Sequence, residues 1–301
     1  MRRTEVLARG LWGVLATPFT ADASTVDDTA LRRQVELHHA AGSRGLVVLG
    51  VFGEGARLGP AEQDHVVAEV TASAGDLPIV VGLSALDTEE AVGAARRLAA
   101  HCRGALPSFM VQVNTTDPGA LAAHLGAIHE ATGAGIVVQD YPVASGVHIT
   151  GAALAEAVRN CPCAVAVKSE APPTSAAIAE LTARLDIPVF GGLGGIGLLD
   201  ELMAGAAGAM TGFSYPEALA SVLTAFASGG YAAARQAYLP WLPLVNFEAQ
   251  VKIGLGIRKA SLVERGIFAS AAVRPPAPPI SEALLPLLRA HLAPVRERGV
   301  R

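Results

Sequence analysis

The stretch GIVVQDY, residues 135–141, runs from three β-branched apolar residues straight into an amide, a carboxylate and a phenol. CAVAVKS, residues 163–169, repeats the form and ends on a lysine and a serine. Continuous apolar runs without alternation belong to strands buried on both faces, the condition of a parallel sheet. Six more runs share the pattern: WGVLATPF (12–19), GLVVLGVF (45–52), LPIVVGL (77–83), LPSFMVQV (106–113), IPVFGGL (187–193) and GAMTGFS (208–214). They recur about every 20 to 34 residues with amphipathic helical stretches between them, the spacing of βα units. Eight such units in about 225 residues close naturally into a (β/α)8 TIM barrel, an α/β fold. A doubly wound sheet is the alternative, but no GxGxxG follows the first strand.

Helix punctuation agrees. Asp87 and Glu90 have the spacing of a capping box, and Asp117-Pro118 reads as a cap followed by proline at the first helical position. Gly42, Gly104 and Gly133 stand where C-terminal caps are expected. After Ser228 the strand signal stops. The expected organisation is a barrel catalytic domain over 1–228 and a small C-terminal helical extension over 229–301, with VRPPAPPI (273–280) as a stiff linker before a last helix.

Bulk properties exclude several classes. The chain is 51% hydrophobic and 17% charged, enough to bury a large core. Its net charge of −4, with scattered basic residues, argues against nucleic acid as a partner. The longest uncharged stretch, Ala218 to Ala234, is rich in alanine and broken by Gly229-Gly230, so no membrane span is expected. The basic start MRRTEVLARG lacks the apolar core of a secretion signal. Three cysteines, an odd number without zinc-ligand spacing, fit a reducing cytoplasm. The histidines show no HExxH-like spacing, so no metal is expected.

In a barrel of this kind the active site lies at the C-terminal ends of the strands. Of 23 basic residues only Lys168, Lys252 and Lys259 are lysines, and Lys168 alone ends a strand. It has two readings: an ion pair with Glu170, or a desolvated amine able to attack a carbonyl as a Schiff-base nucleophile. Alternation puts Lys168 and Glu170 on one face. Thr17 follows the first strand, and GVFGE (50–54) follows the second, with glycines that let backbone N–H groups near Gly50, Val51 and Phe52 approach an anion. GGLGG (191–195) follows the seventh, and Gly191 and Gly192 there stand before a helix that could seat a phosphate or carboxylate.

Taken together, ATPF (16–19), GVFGE, QDYP (139–142) and AVKSE (166–170) make the chain resemble the dihydrodipicolinate synthase / N-acetylneuraminate lyase family, in order and spacing, over nearly its whole length. The resemblance implies a class I aldolase-type barrel in which Lys168 condenses with the ketone of a 2-oxo acid such as pyruvate and the GVFGE loop holds the acid's carboxylate. It further implies no metal or organic cofactor, a small-molecule 2-oxo acid with or without an aldehyde as partner, and a homo-oligomer, dimer or tetramer.

Four departures mark the chain off from the lysine-pathway enzyme. Gln139 stands where the family's YNxP tyrosine relays protons, and an amide has no titratable proton to give. Val51-Phe52 replaces a hydroxyl pair, which makes the loop narrower and more apolar. VQVNTTDP lacks the aromatic pair shown to a neighbouring subunit. Ala144 replaces an arginine used for a dicarboxylic substrate. The expectation is therefore an aldolase, hydratase-aldolase or dehydratase acting through Lys168 on a 2-oxo acid with an apolar or aromatic portion. Tyr141, Glu170 or a water held by Gln139 replaces the missing proton donor. The alternatives are a barrel that has lost catalysis and binds a ligand, and a phosphate-binding isomerase using GGLGG.

Overall fold

The computed structural model describes residues 5–296, and all eight apolar runs form strands within it. Residues 1–4 of the basic N-terminal segment and the last five of the C-terminal extension lie outside the described residues. The strands are β1 (Gly10–Val14), β2 (Gly45–Val48), β3 (Ile79–Leu83), β4 (Ser108–Gln112), β5 (Ile136–Asp140), β6 (Ala164–Ser169), β7 (Val189–Phe190) and β8 (Gly208–Thr211). All pair in parallel in the order β7-β6-β5-β4-β3-β2-β1-β8. A parallel bridge between Gly191 and Ala209, with Ala207 N donating to the Val189 carbonyl at 2.7 Å, brings β7 onto β8 and closes the barrel.

Closure explains why the strands read as unbroken apolar runs. One face of each, through Trp12, Val14, Val47, Val80, Met110, Val137, Phe190 and Met210, fills the barrel interior. The other face, through residues such as Val48, Val81, Val111, Val138 and Val167, packs under the helices. Burying a side chain of this size contributes about 1.5–3 kcal/mol, so both faces are selected to be apolar. The strands are shorter than the runs, and Thr17, Gly50–Glu54 and Gly191–Gly195 are loops at the C-terminal mouth.

The helices are α1 (Asp28–Ala40), α2 (Pro60–Ser73), α3 (Thr88–Ala99), α4 (Pro118–Thr132), α5 (Pro142–Ser145), α6 (Gly151–Arg159), α7 (Thr174–Thr182), α8 (Leu198–Met203), α9 (Pro216–Tyr238), α10 (Leu242–Glu248), α11 (Gly254–Glu264) and α12 (Leu285–Arg296). Asp87 caps α3 by accepting from the N–H groups of Glu89 and Glu90, and Asp117 caps α4 through Ala120 N. The reciprocal bond of a capping box is made elsewhere, by Glu62 accepting from Gly59 N at the start of α2. Gly133 ends α4 at φ 75°, a conformation that costs glycine little.

The C-terminal helical extension expected from the sequence is present and packs on the barrel. The boundary expected between 228 and 229 falls inside α9, two residues before Gly230 interrupts its helical geometry. Leu11, Leu198 and Ala209 of the barrel share one apolar cluster with Leu219, Tyr238, Leu244, Ile257 and Leu288. The Pro-rich segment carries no helix or strand, and Arg274 within it forks onto both carboxylate oxygens of Glu62 at 2.6 and 2.7 Å. These contacts seat α10 and α11 against the barrel mouth. Among the described residues no helix is long and apolar enough to cross a membrane.

Candidate active site

Strand register sets the level of the site. Gln112 of β4 pairs with Gln139, Gln139 with Lys168, and Lys168 with Phe190, so four neighbouring strands end at one layer. Lys168 lies two residues beyond Ala166, which belongs to the interior cluster, and alternation keeps its side chain inward. It is 5% exposed. Lys168 Nζ stands 3.0 Å from Glu170 Oε2, and Gln139 Nε2 donates to that same oxygen at 2.7 Å. The other oxygen of Glu170 accepts from Leu193 N at 3.2 Å. The sequence-derived trio Lys168, Glu170 and Gln139 therefore meets at one carboxylate, through an ion pair from the lysine and a hydrogen bond from the amide.

Tyr141 completes the set from the start of α5. Burial and the charge of Glu170 push its phenol above the ordinary value, against an opposing pull from Arg258, so the hydroxyl keeps its proton at neutral pH. Asp140 points to the other side of β5. Burial, then the charge of Glu170, pushes its carboxyl up to about 6, while His148 opposes the shift.

The glycine loops divide in role. Thr17 Oγ1 donates to the Gly53 carbonyl at 2.6 Å, tying the end of β1 to the GVFGE turn. Glu54 N and Gly55 N close that turn on Val51 and Gly50 carbonyls, whereas the N–H groups of Val51 and Phe52 make no hydrogen bond among the described residues. In GGLGG the donors are mostly spent: Gly191 N on Gly208, Leu193 N on Glu170, Gly194 N on Thr211 and Gly195 N on Gly192. A phosphate would find few free N–H groups there. The glycines make room instead, because a Cβ at Gly192 would collide with the Glu170 carboxylate and one at Gly191 with Glu201. Glu201, beneath the loop, accepts from Thr174 Oγ1 at 2.8 Å and is pushed up to about 7 by burial.

One member of the site comes from the extension and was absent from the sequence expectations. Arg258 of α11 lays its guanidinium over the Phe52 ring at 5.2 Å and against Gly194, where any side chain would collide with Nη2. Its Nε stands 3.7 Å from Glu248 Oε2, and it exerts its charge on both Tyr141 and Glu170. Phe52, expected to offer an apolar surface to substrate, has Gly212 of the β8 tip under its ring and Arg258 over it. The only mark of Arg258 in the sequence is that it stands beside a lysine, Lys259.

Among the described residues no three His, Cys, Asp or Glu side chains gather as a metal site. A cleft of about 400 Å³ lined by Leu7, Arg9, Asp186 and Val189 lies at the N-terminal end of the strands, away from Lys168.

The Dihydrodipicolinate synthetase family model matches residues 7–294. The chain is 31% identical to an L-2-keto-3-deoxyarabonate dehydratase of Azospirillum brasilense, over 96% of this chain and 94% of that one. It is 32% identical to a 4-hydroxy-tetrahydrodipicolinate synthase of Sorangium cellulosum, over 91% of each. A crystal structure of dihydrodipicolinate synthase from Rhodopseudomonas palustris superimposes with a TM-score of 0.88 at 26% identity, covering 97% of this chain and 99% of that one.

Proposed function

This chain belongs to the Dihydrodipicolinate synthetase family, and we propose that it dehydrates a 2-keto-3-deoxy sugar acid through a Schiff base on Lys168. The observation that carries the reading is the buried Lys168–Glu170–Gln139 unit at the C-terminal end of β5 and β6. Similarity over almost the whole chain to a dehydratase of a 2-keto-3-deoxy acid supports the choice of reaction.

An ammonium cannot attack a carbonyl, so Lys168 first gives a proton to Glu170, whose oxygen is 3.0 Å away. The free amine adds to the C2 ketone, Glu170 returns its proton to the carbinolamine hydroxyl, which leaves as water, and an iminium forms with Glu170 again a carboxylate. Its positive charge acidifies the C3 hydrogens. Removal of one by Glu170 yields an enamine, whose electron pair expels the C4 hydroxyl. The neutral phenol of Tyr141 supplies the proton with which that hydroxyl departs as water. The C3 proton held on Glu170 then returns to Tyr141, and hydrolysis releases the lysine, consuming the water released on condensation, so the balance is loss of one water from the substrate. Gln139 takes no proton and holds Glu170 in place. The unengaged N–H groups of Val51 and Phe52 suit the C1 carboxylate. We extend the reading to a homo-oligomer, dimer or tetramer, which light scattering tests.

The test of the Schiff base is to incubate the protein with pyruvate and a panel of 2-oxo acids and reduce with borohydride. The expected result is a mass increase on the peptide containing Lys168. No adduct with any carbonyl compound would overturn the lyase reading in favour of a ligand-binding barrel.

A further inference from the structure

Resting on that reading, we propose that Arg258 grips the distal hydroxyl groups of the substrate and so selects a hydroxylated 2-oxo acid over a dicarboxylic one. The argument starts from unmet bonding capacity. A guanidinium has five N–H donors in a fixed fork. Arg258 Nε makes no hydrogen bond, and among the described residues none of its other N–H groups makes one either. Glu248, its one ion-pair partner there, stands at 3.7 Å, beyond hydrogen-bond reach. Its side chain is only 13% exposed, and a largely buried charge with idle donors is costly unless something completes it.

The surroundings are built to hold it there. Phe52 supports one face of the guanidinium, and Gly194 clears the space beside Nη2. Glu248 is fully buried and held by Ser214 through both its backbone N–H and its hydroxyl. GGLGG binds the two ends of the arrangement into one short loop, with Glu170 at Gly192 and Arg258 at Gly194. A substrate joined to Lys168 extends its tail from beside Glu170 toward this fork.

Charge decides which tail fits. Two cations, Lys168 and Arg258, face two anions, Glu170 and Glu248. The substrate's own C1 carboxylate adds one negative charge to that balanced set. A second carboxylate would press against Glu170 and Glu248 with the single guanidinium to offset both. A hydroxyl oxygen accepts from the fork at no such cost.

The test compares trapping on Lys168 by pyruvate, by 4,5-dihydroxy-2-oxopentanoate and by 2-oxoglutarate. Wild type is expected to be half-saturated by the dihydroxy acid at the lowest concentration of the three. Arg258→Met should raise that concentration by roughly tenfold to a hundredfold, the scale of a lost charged hydrogen bond, and leave pyruvate within about twofold. Pyruvate trapping thereby reports that the variant is folded. Glu248→Gln, which unmasks the guanidinium, should shift preference toward 2-oxoglutarate, a gain that misfolding does not produce. The proposal is overturned if Arg258→Met changes pyruvate and the dihydroxy acid alike or changes neither, or if Glu248→Gln leaves the preference where it was. Absence of any adduct would instead remove the Schiff base, and melting temperatures would then read Arg258 directly. The dihydroxy acid should stabilise wild type more than Arg258→Met, and equal stabilisation would count against the proposal.

Discussion

Lys168 and Lys259 are both buried, and each faces a glutamate, yet one sits in the barrel mouth and the other in the joint between barrel and extension. The ammonium of Lys259 is saturated. It stands 2.5 Å from Glu54 Oε1, donates to the Ala272 carbonyl at 2.8 Å and lies over the Phe19 ring at 4.3 Å. The second oxygen of Glu54 accepts from Arg274 N, so the pair ties the GVFGE turn, α11 and the Pro-rich segment together. Lys168 makes no hydrogen bond through its ammonium among the described residues; its ion-pair partner is a carboxylate oxygen that already accepts from Gln139. Residue type, burial and counter-ion are alike. The number of acceptors around the nitrogen separates a lysine that holds structure from one left free to react.

The comparison breaks most visibly at Lys168. Lys168→Ala should lower turnover by on the order of 10³-fold or more, the scale of a lost nucleophile, and abolish borohydride trapping. Glu170→Gln should cost roughly 10² to 10⁴ in turnover and slow, without abolishing, the trapping of pyruvate on Lys168. Tyr141→Phe should cost less than Glu170→Gln. Wild-type turnover in both variants would exclude these residues from proton transfer.

Lys259→Met should do the reverse of Lys168→Ala. Leaving Glu54 buried with Arg57, 3.4 Å away, as its counter-ion is expected to cost up to about 3–5 kcal/mol in denaturant unfolding, while each folded molecule still forms the adduct on Lys168. A Lys259→Met protein as stable as wild type would refute its anchoring role.

The smallest expected effect sharpens the electrostatics under the mouth. Glu201 is held protonated up to about pH 7 in the fold, against 4.5 ordinarily. Between those values the folded chain binds more protons than the unfolded one, so stability falls as pH rises from 4.5 to 7. Glu201→Gln should flatten this decline by about 1–3 kcal/mol, read from unfolding midpoints across that range.

The eight strands were legible because burial on both faces leaves a local mark, an apolar run bounded by turns. Lys168 was legible for a related reason: a lone lysine ending such a run has few structural explanations. Its unit with Glu170 follows from alternation along one strand, and its bond to Gln139 only from the pairing of β5 with β6. Gly191 and Gly192 were visible as a glycine run, but their use was not. The colliding groups, Glu201 and Glu170, come from other elements.

Arg258 marks where local reading ends. Within α11 its neighbours Ile257, Lys259 and Ala260 are buried, and nothing along the helix distinguishes the arginine that reaches the mouth from the lysine that pins the joint. That choice depends on how α11 docks against loops about 65 and 200 residues earlier, at Gly194 and Glu54. By itself the sequence determined the barrel, the strand tips and the lone lysine proposed as nucleophile, because period, burial and backbone chemistry act over a few residues. Tertiary structure alone decided which cation completes the site, because charges are paired through space and their partners lie far apart along the chain.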